Sequence, residues 1–191
     1  MSAAGGGDPR TARTRARLRE ALLDECAGRP LAEVSVSAVV RRAGVGRATF
    51  YLHYEDLTGL AVDACADVVH EAVDALHAWQ TGAGAVAPAR APGALAEFLA
   101  ATARHGDLHR ALLFPGGSGP LGDRLHEELR ARALAERERA GAPHSELIAS
   151  AVAGAFTAVL ADWLHGLVPS APEQLADHIW RLLLSLHRSA G

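Results

Sequence analysis

Residues 35–54, Ser35 to Tyr54, read SVSAVVRRAGVGRATFYLHY, and this stretch decides the fold. Ser35 suits a helix N-cap, because its hydroxyl can accept from a free N–H of the first turn. Val36, Val39 and Val40 then recur at helical spacing as far as Ala43. Gly44 permits a sharp turn, since glycine takes positive φ without a Cβ clash. A second short helix is predicted at about 46–53, with Val39, Val45 and Phe50 as the small core that holds the pair at an angle. This is the layout of a helix-turn-helix, whose second helix lies in the major groove while the first crosses the backbone. Arg47 at the start of the second helix suits guanine O6 and N7, and Thr49, Tyr51 and His53 offer donors to phosphates or base edges. Taken out of this setting, Thr49 and Tyr51 would fit an ordinary helical surface, and Phe50 and Tyr51 a core.

Charge outside the stretch points the same way. The 191 residues carry a formal net charge of −3, and all 19 basic residues are arginine. Residues 1–60 hold 9 Arg against 7 acids, whereas residues 61–191 hold 10 Arg against 15 acids, so +2 and −5 sum to −3. Arg10, Arg13, Arg15, Arg17 and Arg19 occur within 9–19 with no acid among them, a local +5 that would attract a polyanion.

Helical patterns fill the remainder. Residues 1–9 are small and Gly-rich and read as a disordered tail. Leu18, Ala21, Leu22 and Cys26 mark a first helix at about 11–27, closed by Pro30. A single fourth helix is predicted at about 56–79, a connector at 81–93, and further helices at about 94–104, 107–113, 121–140, 144–167 and 172–188. The helix at 121–140 carries Arg124/Glu128 and Arg132/Glu136 at i,i+4, as on a solvated face. No alternation of period two argues for a strand. Two cysteines give no disulfide framework, and the start of the chain has no apolar signal-peptide core, so a cytoplasmic setting is expected. Residues 147–161 are uncharged, yet short and diluted by Ala, Ser and Gly, and read as a buried helix rather than a membrane span.

The Gly turn, the TFY triplet and His53 two residues beyond Tyr51, behind a leading helix of about 17 residues, resemble the N-terminal domain of TetR-type transcriptional regulators. The motif covers roughly residues 14–60; beyond it only the succession of helices matches. The resemblance implies an all-α chain of about nine helices: a helix-turn-helix DNA-binding domain at 10–55, then a helical effector-binding and dimerisation domain at 56–191. It implies that Arg47 and Ala48 face bases, that Thr49 and Tyr51 touch backbone or bases, that His53 binds phosphate, and that Ser37 also reaches DNA. One departure stands out: Leu57 occupies the position where the family usually has lysine. Arg10 and Arg13, in an N-terminal arm, are expected to compensate.

A two-fold operator needs a two-fold protein, with recognition helices about 34 Å apart. The last two helices suit that role as a four-helix dimer bundle. Leu147, Ala151, Gly154 and Ala158 share one face of helix 144–167, where small residues permit close approach. Val152, Phe156, Val159 and Trp163 point inward, and Leu175, Ile179, Leu182 and Leu186 form the matching stripe on the final helix. Intramolecular packing would produce similar stripes. The resemblance further implies a small-molecule effector pocket, for which Trp79, Phe98, Phe114, Phe156 and Trp163 are the large side chains available; core packing explains each equally well.

Partners expected are therefore an operator duplex, an unidentified effector and a second copy, with no membrane, cofactor or metal. The competing reading is a small helical enzyme or a metal- or redox-binding protein using His70, Asp74 and His77. His105 and His109 have a chelating i,i+4 spacing, and Cys26 and Cys65 could approach each other. No nucleophile–base pair, phosphate loop or metal quartet supports that reading, and the histidines fit solvated helix faces.

Overall fold

The computed structural model describes residues 9–77 and 90–188. The predicted tail, except for Pro9, and most of the predicted connector, as well as Trp79, lie outside these residues. Helices follow in the order α1 (Pro9–Cys26), α2 (Val36–Ala43), α3 (Arg47–Tyr51), α4 (Leu57–Ala64), α5 (Ala66–His77), α6 (Gly93–Arg104), α7 (Gly106–Leu112), α8 (Pro120–Arg139), α9 (Ser145–Leu164) and α10 (Pro172–Arg188). No strand occurs among the described residues. The fourth helix expected from sequence is interrupted at Cys65, which separates α4 from α5; counted as one, the two bring the α-helices among the described residues to nine.

The described residues through Ala64 form one compact unit and those from Cys65 a second. The first extends one helix past residue 55, because α4 packs on α1. Its core takes Leu18 and Leu22 from α1, Val39 from α2, Phe50 from α3 and Leu60 from α4, all 0% exposed. Each such side chain contributes about 1.5–3 kcal/mol by leaving water. Polar contacts tie α1 to α2 as well. Glu25 is buried on α1 and accepts from Arg42 Nε at 2.6 Å, while Arg29 pairs with its other oxygen. Two guanidiniums on one carboxylate satisfy a charge that burial would otherwise penalise heavily.

In the second unit, α8 lies along α9 and also meets α5, while α10 packs on α6 and α9. Leu121, Leu125, Leu129 and Ala133 give α8 a buried stripe at i,i+4 spacing. Its other side is solvated, with Arg124–Glu128 at 3.6 Å and Arg132–Glu136 at 2.5 Å. Helix α9 is long and apolar enough to cross a membrane by length and composition, with mean hydropathy 1.8, yet half of that window is buried inside the protein. Phe156 and Leu160 on α9 are nearly or wholly enclosed, as the interior helix expected from sequence requires.

The small-residue stripe of α9 differs from expectation. A Cβ added at Gly154 would lie 3.7 Å from His126 of α8, and Gly117 sits against the backbone of Thr157 and Ala158. The turn Pro115–Gly117 thus sits against α9 beside Ala158, while Gly154 and Ala158 themselves stay half-buried. Ala151 is half-buried, and Leu147 remains 67% exposed. On α10, Leu175 and Ile179 are likewise enclosed within the unit, at 1% and 2% exposure, whereas Leu182 is 41% exposed and Leu186 half-buried. The heptad pattern identified an apolar helix correctly but could not tell which neighbour covers it. Val152 is buried as expected; Val159 is half-buried.

Candidate nucleic-acid interface

Helix α2 begins at its predicted cap, where Ser35 Oγ accepts from Ala38 N at 3.2 Å. It ends at Gly44, in the left-handed region with φ 63°. Gly44 N donates to Arg41 O at 3.2 Å and Val45 N to Val40 O at 3.0 Å, the paired bonds of a Schellman turn. Gly46, extended, then starts α3. Arg17 of α1 reaches over the turn and donates to Gly44 O at 3.4 Å. A Cβ at position 44 would meet that guanidinium at 2.7 Å, but the Arg17 side chain can swing aside, so it is the left-handed backbone that requires glycine there.

Helix α3 has five residues, too few to be stable alone. Phe50 anchors it by full burial, and Tyr54, 7% exposed, continues the same side four residues on; their rings lie 5.9 Å apart. The opposite side faces outward. Arg47 and Ala48 are exposed, Thr49 is half-buried, Tyr51 is 50% exposed and His53 is half-buried. Arg47 Nη2 donates to Tyr51 Oη at 3.4 Å, and its guanidinium carbon lies 5.8 Å from the Tyr51 ring. A cation stacked on an aromatic face in this way is pre-aimed, so less side-chain entropy is lost when it engages a target. Ser37 is exposed on the first turn of α2. The guanidinium, hydroxyls and imidazole on this side are donors suited to phosphate oxygens and base edges.

Sequence reading missed how much of the basic run is engaged inside the unit. Arg15 Nη2 pairs with Asp63 Oδ1 at 2.8 Å, and Arg15 Nε donates to Tyr54 Oη at 3.3 Å. Tyr54 in turn donates its hydroxyl to Asp63 Oδ2, and Arg19 lies 3.9 Å from the same oxygen. Burial, reinforced by the hydrogen bond to Asp63, pushes the Tyr54 phenol up to about 12. The cluster ties α1, the end of the recognition segment and α4 together. Arg10 and Arg13 are exposed, as expected of them, and belong to α1 itself rather than to a separate arm. At Leu57, where the resemblance called for lysine, α4 begins; Asp56 Oδ1 caps it by accepting from Gly59 N at 2.8 Å. Glu55 and Asp56 are both exposed beside it. The only sequence signal for the Tyr54 cluster was a phenol at i+4 from Phe50, which a core position does not need.

The second unit treats the aromatic set unevenly. Phe98 and Phe156 come together, with ring centroids 6.2 Å apart, and both are buried. Phe114 is 46% exposed on the turn before α8, and Trp163 donates its indole N–H to Ser170 O at 2.9 Å. The four that are described therefore do not share one pocket. His70 is exposed, with Nδ1 2.9 Å from Ala66 O, and Asp74 is exposed; the His77 side chain lies outside the described residues. His109 is buried, against the expectation of a solvated face: its Nδ1 donates to Thr102 O at 2.9 Å, and burial pushes its pKa down. No group of three metal-ligating side chains occurs among the described residues. Cys65 is buried and Cys26 half-buried.

The geometry defines a helix-turn-helix unit at the head of an all-helical chain. Solved structures share it throughout. The TetR-family repressor AlkX of Dietzia sp. strain DQ12-45-1b, implicated in n-alkane biodegradation, matches at TM-score 0.64 and 21% identity, over 98% of this chain and 99% of its own. A TetR transcriptional regulator of Rhodococcus sp. RHA1 gives 0.63 and 19%, over 93% and 98%. The fatty acid degradation regulator FadR of Bacillus halodurans gives 0.54 and 16%, over 88% and 97%. The chain has the fold of the TetR-type regulators. No protein-family model matches the sequence, and no curated protein does.

Proposed function

We propose that the protein is a DNA-binding transcriptional regulator that acts in the cytoplasm, as a homodimer on a palindromic operator, and is released as a repressor when a small-molecule effector binds the second unit. The observation that carries this reading is α3, with its apolar side locked by Phe50 and Tyr54 and its other side presenting Arg47 stacked on Tyr51. Arg47 and Ala48 face bases in this reading. Thr49, Tyr51 and His53 meet backbone or base edges, and Ser37, Arg10 and Arg13 add contacts to flanking phosphates. Exposed Leu147 and Leu182 form the apolar part of the dimer contact. The solved relatives support the reading by fold and by their description as transcriptional regulators. The test is binding of the purified protein to duplexes from upstream of its own gene at low salt. A retarded complex with a two-fold footprint is expected, and failure to bind any such duplex overturns the reading.

The Asp63 cluster adds a quantitative expectation. Asp63 holds Arg15 and Arg19 away from any polyanion. In Asp63→Asn both cations become available, so nonspecific duplex affinity should rise and the slope of log K against log salt should steepen by about 1–2. Equal slopes for the variant and the wild type, measured by anisotropy over a salt series, would show that the pairing does not limit binding.

A further inference from the structure

Helix α3 is attached to its unit at few points. Its N-cap is Gly46, which has no side chain to hold the first turn, and five residues are too few to keep a direction of their own. Phe50 seats the helix in the core, but apolar burial is non-directional and leaves its tilt open. Direction comes from Tyr54, which continues the turn: His53 N and Tyr54 N both donate to Phe50 O, at 2.9 and 3.0 Å. The Tyr54 ring is held on three sides. Phe50 lies 5.9 Å away, the Arg15 guanidinium carbon sits 5.5 Å over the ring, and the hydroxyl donates to Asp63 Oδ2 while accepting from Arg15 Nε at 3.3 Å. Asp63 is itself clamped, by Arg15 Nη2 at 2.8 Å on its other oxygen and by Arg19, 3.9 Å from Oδ2. Phenylalanine at position 54 would fill the same core space, so the hydroxyl serves direction and not burial. Burial, with the bond to Asp63, pushes that phenol up to about 12, so it remains a donor at any working pH.

We infer that Asp63, acting through the Tyr54 hydroxyl, sets the direction of the reading face and so determines sequence specificity without touching DNA. The role in specificity rests on the regulator reading; the hold on α3 rests on geometry alone. A bidentate contact between a guanidinium and a base edge needs donor and acceptor within about 2.7–3.2 Å, so a small swing of α3 loses base contacts first. Phosphate contacts made by long, mobile arginines re-form after the same swing. Loosening the bond between Tyr54 and Asp63 therefore lowers affinity for a preferred sequence and spares affinity for any other. Asp63 is a positioning residue in this account. Tyr54, 7% exposed, transmits the constraint from inside the unit.

The wild-type chain is first used to select a sequence from a pool of random duplexes. The selected duplex and a scrambled copy are then titrated by anisotropy, well below the melting transition of every variant. Tyr54→Phe keeps the ring and the pairs of Asp63 with its arginines, so the Kd for the scrambled duplex and its salt slope should match the wild type. Its Kd for the selected duplex should rise about five- to tenfold, through loss of one charge-assisted hydrogen bond. Asp63→Asn should show the same fall in the ratio of selected to scrambled affinity, even though both arginines are released. The double variant should fall no further, because both changes break one bond. A purely structural role would weaken both duplexes alike. A ratio unchanged in Tyr54→Phe, or additive losses in the double variant, overturns the inference. If the wild type enriches no sequence, the regulator reading falls, and amide hydrogen exchange over residues 47–54 decides the rest. Faster exchange there in both variants keeps Asp63 as the residue that holds α3, and exchange equal to the wild type removes it.

Discussion

Tyr51→Ala should lower operator affinity by about ten- to a hundredfold and lower the melting temperature by only about 2–5 °C. Half of the Tyr51 side chain is in solvent, and the fold is anchored instead by Phe50 and Tyr54 on the other side of α3. Truncation leaves that anchor in place and gives up only the edge contact of the Tyr51 ring with Phe50, at 5.2 Å between centroids. It removes the hydroxyl that the proposed reading aims at the duplex and the face on which Arg47 rests. A good base-edge contact contributes about 1–3 kcal/mol of discrimination, and here two contacts weaken together. Tyr51→Phe separates the parts, since it keeps the stacking platform and loses only the hydroxyl; an intermediate loss is expected. Anisotropy titration with the operator, alongside a thermal melt, checks both statements. Full operator affinity in Tyr51→Ala would rule out this side of α3 as the reading face.

The second large effect is on stability. Gly117→Ala should cost about 3 kcal/mol or more. Gly117 has φ 87°, where an L side chain is strained by about 1 kcal/mol or more. A Cβ there would also lie 2.9 Å from Ala158 N and 3.0 Å from Thr157 C, both backbone atoms of α9 that cannot swing aside. Overpacking of this kind adds about 1–3 kcal/mol. Gly116 provides the internal comparison: it shares a positive φ of 76° but has nothing within 4 Å of its added Cβ. Gly116→Ala should therefore show the strain without the collision. Urea denaturation of the two variants measures the difference, and equal losses would mean that the turn can move off α9.

How much of this was legible in the sequence depended on whether the signal was local. Ser35, Gly44 and Phe50 carry their roles in their own chemistry: a cap, a left-handed turn and an anchor among polar neighbours. Arg124/Glu128 and Arg132/Glu136 were equally readable, because i,i+4 partners need no tertiary information. What the sequence concealed was partnership at long range. Arg15 looks like one cation in a basic run, yet its partner Asp63 lies 48 residues away. Gly154 and Ala158 present a small-residue face, but whether a second copy or a Pro-Gly-Gly turn fills it depends on where residues 115–117 go. Leu175 and Ile179 are apolar at the right spacing for an interface, and the subunit's own core claims them first. His109 offered a chelating spacing, and a carbonyl on α6 took its ring nitrogen instead.

The five residues of α3 divide their labour by side. Position 50, with position 54 just beyond, attaches the segment to the body; positions 47, 48, 49 and 51 make no comparable demand on the interior. Substitutions on the outer side are thus nearly free of folding consequences, and substitutions on the inner side leave the outer surface unchanged in composition. If the outer side reads DNA as proposed, a lineage carrying this segment can drift to a new target sequence through outer changes alone, with the fold kept throughout. On the proposed reading, recognition and architecture are inherited here as separate traits, although they are written into one short word.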